Sequence, residues 1–272
     1  MSRRAGLLVV MLSFIPSLLI AGSGRWLVKG CFSKLKLKEQ QRLQLAVQGY
    51  IEQAARRTRQ ALSGLVASEK VDRLLVEVSR QEVETGRIAF LARQWAQEYG
   101  LEVLLMADGS GRILSCANLP ARAGEAEESL RHLAGLEGEL DLVLSQPLLH
   151  QGTVTQKPAW LTLKRRTFEN TVLIFLAGFF IDQPWLEELK KISGAVHLDL
   201  IEQPNVPATQ AEGVVRVDLP SPPLENFVPK WLEITAQDLG GYEKSLLLKL
   251  YLLAAVFWVA VSLLLVFYNR SR

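Results

Sequence analysis

The chain has 272 residues, of which 49% are apolar, and its mean hydropathy of +0.15 excludes an intrinsically disordered protein. Its 31 Lys and Arg against 28 Asp and Glu give a net charge of +3 without a polybasic tract, so we expect no nucleic-acid partner. The two Cys and three His do not lie at metal-ligand spacings, so we expect no metal site and no cofactor.

Both ends of the chain are apolar enough to cross a membrane. Residues 5–28 begin with the uncharged run AGLLVVMLSFIPSLLIA and reach Arg25 and Trp26, which suit a membrane interface. The run is longer than the apolar part of a usual signal peptide, so we interpret it as an uncleaved anchor, with a cleaved signal peptide as the alternative. Residues 246–268 form a second run, long enough to span a lipid bilayer with tilt.

These two predicted spans divide the chain into terminal tails, transmembrane helices and a central region. The basic residues near position 30 would keep a short loop inside, but a long domain is translocated largely regardless of its charge. We therefore place the middle of the chain outside the membrane and both termini inside. The predicted parts are cytoplasmic tails at 1–4 and 269–272, transmembrane helices at 5–28 and 246–268, a long helix at 29–67 and an extracytoplasmic domain at 68–245.

The region between the spans changes from helical to strand periodicity near Gly100. Apolar residues at helical spacing predict a helix over 35–66 and another over about 80–99, which ends at Gly100. The predicted strands lie at 101–107, 112–117, 140–149, 159–166, 171–180, 196–201, 214–217 and 231–235, with short helices at 125–136 and 182–192. The predicted turns lie at Asp108–Gly111, Gly152, Lys157-Pro158 and Glu169-Asn170. Asp182 is the expected N-cap of the last short helix, and the pattern predicts an α+β domain.

One face of the first predicted helix carries an apolar stripe. Such a stripe can be a seam between two chains, which would make a homodimer, or a face that packs on the chain's own domain. The spacing leaves both interpretations open. The residues of the seam would be Leu43, Val47, Tyr50, Ala54, Ala61 and Leu65.

Several segments resemble the sensory region of bacterial membrane sensor histidine kinases. They are Leu91-Ala92-Arg93, Tyr99-Gly100-Leu101, Ala107–Ser115, Asn118–Gly124, Trp160–Leu163 and Ala177–Asp182. The resemblance implies an extracytoplasmic Cache domain, which is a PAS-like antiparallel sheet with a long N-terminal helix, between two transmembrane helices. It implies a bacterial inner (cytoplasmic) membrane location and a role in two-component signal transduction.

The resemblance does not extend to the kinase part. The HAMP linker, phospho-acceptor helix and ATP-binding boxes that follow in that family have no counterpart after residue 268. We therefore expect a sensor that binds a small ligand and acts through a separate histidine kinase or other cytoplasmic partner.

The sequence predicts no catalytic site, and we expect no enzyme activity. Asp108-Gly109-Ser110-Gly111 has a single carboxylate, which is typical of a turn, and no His or acid lies near Ser115-Cys116. An arginine on a strand can hold a ligand carboxylate, and aromatic residues at strand spacing can line a pocket or form a core. The candidates for ligand contacts are Tyr99, His150, Trp160, Arg165 and Phe175.

An alternative function is structural. Polysaccharide chain-length regulators also place a domain between terminal spans, with prolines before the second span. Pro220, Pro222, Pro223 and Pro229 are similar to that pattern. The strand-rich centre argues against this alternative, because long helices dominate the regulator domains.

Overall fold

A long helix opens the chain and a second long helix closes it. The computed structural model describes residues 3–80, 85–136, 138–150, 152–201, 214–220, 231–235 and 240–270. The helices are α1 (Arg3–Val66), α2 (Glu69–Ser79), α3 (Thr85–Ile88), α4 (Leu91–Tyr99), α5 (Glu128–Ala134), α6 (Gln183–Ser193) and α7 (Gly240–Arg270). The strands are β1 (Val103–Asp108), β2 (Ile113–Cys116), β3 (Leu140–His150), β4 (Thr153–Phe168), β5 (Thr171–Phe180), β6 (His197–Ile201), β7 (Val214–Asp218) and β8 (Trp231–Thr235).

The chain divides into two compact units, Leu43–Thr235 and Met1–Arg42 together with Ala236–Arg272. In the second of these, α1 and α7 approach closely at Gly24, where a Cβ atom would lie 2.7 Å from Leu250 Cδ2. Among the described residues, one helical stretch, Tyr242–Leu264 of α7, is long and apolar enough to cross a membrane. The predicted span at 5–28 has helical backbone from Arg3, and most of its side chains lie outside the described part of the chain.

The strands form two antiparallel sheets. Five of them make a sheet in the order β2-β1-β5-β4-β3, and the last three make a small sheet in the order β6-β8-β7. The first sheet is built from the predicted hairpin, short helix and three-strand meander, and this confirms the α+β fold with a PAS-like antiparallel sheet and a long N-terminal helix. The small sheet is a separate element that the strand pattern alone does not predict.

The five-stranded sheet is buried on both faces, so β5 reads as an apolar run rather than an alternating strand. One face carries Met106 and Phe175 and is covered by α1, α2, α3 and α4. The opposite face carries Leu161 and Leu176 and is covered by α5. The two faces follow the alternation of side chains along each strand.

Two local predictions are wrong. Lys157-Pro158 is not a turn, because Pro158 lies within β4 opposite Ser145 of β3. Its carbonyl accepts a hydrogen bond from the Ile181 amide at 2.9 Å, so its nitrogen faces away from β3 and no ladder hydrogen bond with β3 is lost. The predicted helix over about 80–99 is divided into α3 and α4 at residues 89–90, and its residues 81–84 lie outside the described part of the chain. It ends as predicted at Gly100, whose φ is 65°.

The apolar stripe of α1 faces the chain's own domain. Leu43, Val47 and Leu65 are fully buried in a single copy of the chain. These three residues therefore pack within the domain, as the second interpretation of the stripe predicts, whereas a homodimer through Leu43, Val47, Tyr50, Ala54, Ala61 and Leu65 stays a prediction. The buried face is completed by Ile51, Ala55 and Leu62, while Tyr50, Ala54 and Ala61 lie half-buried at its edge.

Candidate functional site

A cleft of about 510 Å³ lies between α1, β4 and β7. Its volume is within the usual range for small-molecule sites. We call it the α1 cleft. It is lined by Leu45, Gln48, Gly49, Ile51 and Glu52 of α1, by Trp160 of β4 and by Val217 and Asp218 of β7.

Pairing along the edge of the large sheet places these elements side by side. Trp160 lies opposite Val143 of the edge strand β3. The Val143 amide donates a hydrogen bond to the Pro220 carbonyl at 2.9 Å, which holds the chain just after β7 against that edge. Val217 and Asp218 are thereby brought next to Trp160, although they belong to the small sheet.

Trp160 forms the most buried polar part of the cleft wall. The residue is 8% exposed, and its indole Nε1 is fully buried without a hydrogen-bond partner among the described residues. Its ring stacks on Phe179 of β5, with the ring centres 6.3 Å apart and the planes 6° from parallel. A buried donor without a partner is costly, and because this nitrogen has almost no accessible surface, it offers no hydrogen bond to a molecule in the cleft.

The charged groups of the cleft wall are carboxylates. Glu52 accepts a hydrogen bond from Arg56 Nε at 3.0 Å, and Arg59 Nη1 and Nη2 lie 3.5 Å from its two oxygens. The hydrogen bond from Arg56 lowers the pKa of Glu52 below its ordinary value, against an opposing effect of burial, so this carboxylate is ionised at neutral pH. Asp218 is exposed. The described residues that line the cleft include no Lys, Arg or His.

A polar network beside the cleft fixes α1 to the sheet. Arg59 Nη2 donates to Asp141 Oδ2 of β3 at 2.8 Å, and Thr162 Oγ1 of β4 donates to the other oxygen of Asp141 at 2.7 Å. One turn further along α1, Ser63 Oγ accepts from Lys164 Nζ of β4 at 2.5 Å. These contacts follow β4 in the same direction as α1, so the helix cannot slide along the strand without breaking them.

A series of aromatic rings runs beneath α1 from the cleft to α6. Phe179 stacks on Trp185 of α6 at 5.7 Å, and Trp185 contacts Tyr50 of α1 at the same distance. Tyr50 lines a second, smaller cleft of about 340 Å³ together with Arg57 and Glu188. Burial and the neighbouring Glu188 raise the pKa of Tyr50 above its ordinary value, so the phenol stays protonated.

The five residues predicted to contact a ligand do not come together in one site. Trp160 lines the α1 cleft. Phe175, on the same face of the sheet, is fully buried in the core, and Tyr99 is half-buried against that core. Arg165 points to the opposite face, where its Nη1 lies 3.4 Å from the Leu136 carbonyl oxygen. His150 ends β3, and its side chain lies outside the described part of the chain.

The sequence analysis did not predict Gln48, Glu52 or Asp218. Gln48 and Glu52 are four residues apart in α1 and share a face, which is a signal that periodicity could have given. Asp218 carries no such signal, because only the pairing of Val143 with Pro220 brings the end of β7 to the cleft.

Sensor and periplasmic domains are among the solved structures that resemble this fold. The sensor domain of the histidine kinase DctB from V. cholerae matches 76% of this chain and 98% of its own, at 9% identity and a TM-score of 0.41. The DcuS sensor domain of E. coli matches 55% and 98%, at 16% identity and 0.33. The periplasmic domain of LuxQ from Vibrio cholerae matches 74% and 100%, at 12% identity and 0.33.

No family model matches the chain, and no curated protein matches its sequence. At these identities and scores the structural neighbours carry no argument about this chain, so its function has to be argued from its own residues.

Proposed function

We propose that this protein is a membrane-anchored sensory module, which binds a small ligand outside the cytoplasm and relays the event to a separate cytoplasmic partner, such as a histidine kinase. The observation that carries the proposal is the pair of elements that bound the α1 cleft. One wall is α1, a single helix of 64 residues that also contains the first apolar run. The opposite wall is β7, which pairs with β8, and β8 precedes α7 in the chain.

A ligand in this cleft would contact both connections to the membrane. A helix transmits an axial or rotational displacement along its length because its backbone hydrogen bonds make it stiff. The ion pair of Arg59 with Asp141 and the hydrogen bond from Lys164 to Ser63 hold α1 to β3 and β4, so α1 would move with the sheet relative to β7. A ligand that binds one arrangement better than another changes the population of the two.

The location of the domain is tested with reporters in the full chain. A cytoplasmic reporter fused after Arg272 should be active, and a protease added outside the cell should cleave the chain within residues 203–208. A cytoplasmic reporter inserted within 203–208 should be inactive. Activity of that insertion would place the domain inside the cell and contradict an extracytoplasmic sensor.

The relay is tested by distance measurements between α1 and α7. Spin labels at Lys34 and Lys244, in a chain whose two cysteines are replaced by serine, report the separation of the helices in lipid nanodiscs. We expect the distance distribution to change with at least one member of a panel of amines, amino acids, dicarboxylates and monosaccharides. A distribution that is unchanged by a compound shown to bind would exclude a relay through these helices.

A further inference from the structure

We propose that the pair of helices α1 and α7 binds anionic phospholipids through a cluster of basic side chains at one end of the predicted spans. This inference goes beyond the sensory function, since it requires only that the two helices lie in a membrane. The charged side chains would bind the phosphate of the lipid headgroup. We call them the basic cluster, and its members are Arg25, Lys29, Lys244 and Lys249.

Two contacts within one compact unit show how α1 and α7 are paired. At Gly24 of α1 a Cβ atom would lie 2.7 Å from Leu250 Cδ2 of α7, so the helices touch at this level. Lys36 Nζ, further along α1, lies 3.9 Å from Glu243 Oε2, which is earlier in α7. The order of these contacts means that the two helices run in opposite directions.

This pairing brings the four basic residues to similar depths. Arg25 follows Gly24 and Lys249 precedes Leu250, so both lie at the level where the helices touch. Lys29 comes four residues after Arg25, and the same spacing places both on one face of α1. Lys244 comes five residues before Lys249, and because the helices are antiparallel, it lies on the same side of that level as Lys29. The four residues therefore fall within about two helical turns.

The apolar surface beside the basic cluster points to lipid rather than to an acidic protein. Leu248, Leu252 and Leu253 of α7 are each more than 60% exposed, and a row of exposed leucines on a helix long enough to cross a membrane needs an apolar solvent. Trp26, the neighbour of Arg25, is 77% exposed. Tryptophan in such a position is typical of the headgroup region of a bilayer.

The charges of the basic cluster are not used by neighbouring carboxylates. Residues 25–42 contain six Lys and Arg and a single acidic residue, Glu39, which pairs with Arg42 at 2.6 Å. At the start of α7, Glu243 pairs with Lys36. All four members of the basic cluster are exposed, and the structure records no ion pair for them among the described residues. They therefore carry charge that a lipid phosphate can neutralise.

Electron paramagnetic resonance of spin-labelled lipids tests the proposal with the full chain in phosphatidylcholine vesicles. The fraction of label that is immobilised by the protein is compared for phosphatidylglycerol and phosphatidylcholine labelled at the same acyl position. One basic residue near the headgroups is worth up to about a fivefold preference, so we expect the protein to prefer phosphatidylglycerol by at least about threefold. The preference should weaken in about 1 M sodium chloride, which screens exposed charges.

Three variants assign the preference to the basic cluster. Replacing Arg25, Lys29, Lys244 and Lys249 together by glutamine should lower it at least about twofold, while phosphatidylcholine is immobilised as before because the spans stay inserted. The arginines at positions 3, 4, 270 and 272 are unchanged in this variant, so some preference should remain. Exchanging Arg for Lys and Lys for Arg at the same four positions should keep the full preference.

The matched control removes the same charge from the other compact unit. It replaces four exposed basic residues by glutamine and should keep the wild-type preference. These residues are Arg73, Arg80, Arg93 and Lys191.

Equal immobilisation of the two lipids by the wild type would overturn the proposal. So would a preference that survives neutralisation of the basic cluster, or an equal loss in the matched control, which would reflect net charge alone. Competition by about 10 mM inorganic phosphate at constant ionic strength would show a site for the free ion instead of a lipid surface. None of these results would alter the reporter and distance measurements, which test the sensory function separately.

Discussion

Arg59 of α1 donates a 2.8 Å hydrogen bond to Asp141 of β3, a residue 82 positions later in the chain. The bond raises the pKa of Arg59 above its ordinary value even though burial opposes it, so the guanidinium stays ionised. Asp141 has a second partner in Thr162, which fixes its carboxylate on the sheet. The pair therefore decides where α1 sits along the edge of the sheet, and hence the width of the α1 cleft.

Asp141→Asn should lower the free energy of unfolding by about 1–2 kcal/mol. The side chains are 32% and 18% exposed, so the loss lies between that of a surface ion pair and that of a buried one. Urea unfolding of the full chain in detergent measures it. The control is Glu69→Gln, whose pairing with Arg73 is highly exposed and should contribute almost nothing. Equal losses in the two variants would mean that the Arg59 pair does not hold the helix.

Gly178→Ala should be poorly tolerated, with a loss of at least about 2 kcal/mol in the free energy of unfolding. A Cβ atom at Gly178 would lie 1.7 Å from the Trp160 carbonyl oxygen, so β4 and β5 would have to separate beside the cleft. Gly64→Ala is the matched control. Its Cβ would be 3.6 Å from Tyr99, an ordinary contact, and alanine inside a helix should gain about 0.5–1 kcal/mol. Thermal unfolding of both variants would show opposite shifts of Tm.

Acid should destabilise the protein through Glu52. Its pKa is lower in the folded chain than its ordinary value of 4.5, because Arg56 donates a hydrogen bond to the carboxylate. The unfolded chain then binds the proton first as the pH falls, so the stabilisation that is complete above pH 4.5 is lost as the pH falls through the lower, folded pKa. Glu52→Gln should show a shallower decline of urea midpoint below that pH than the wild type. An identical decline would remove Glu52 from the acid response.

Cys116 should be protected from alkylation until the domain unfolds. The thiol is buried in β2, and burial raises its pKa, so little reactive thiolate forms at neutral pH. In a Cys31→Ser background, maleimide should label Cys116 at least about 100-fold more slowly in native conditions than in urea, as expected for a site that reacts only when the structure opens. Ser110→Cys, in the exposed turn between β1 and β2, is the control and should react rapidly in both conditions. Fast native labelling of Cys116 would mean that the β1–β2 hairpin opens locally.

The sequence by itself determined the features that depend on neighbouring residues. The β1–β2 hairpin follows from Asp108–Gly111, where the Asp108 carboxylate accepts hydrogen bonds from the amides of Ser110 and Arg112. The start of α6 follows from Asp182, which accepts from the Trp185 amide at 3.2 Å. The spacing of apolar residues also predicted the order of the helices and strands. A helix or strand that buries one side carries its apolar residues at a regular spacing, which can be recognised in the sequence.

Only the tertiary structure decided which faces of the helices and sheets pack against each other. The apolar residues of α1 fit two adjacent stripes, and the chain buries the one with Ile51 and Ala55 because β4, β5 and α6 lie beneath it. Burial of this stripe also places Glu52 beside Trp160 in the α1 cleft. The hydrogen bond between Val143 and Pro220 brings Asp218 to the same cleft. Contacts between residues so far apart in the chain leave no periodic signal in the sequence. Such a contact depends on how two separate helices or strands pack against each other, and the spacing of residues within one of them does not determine this.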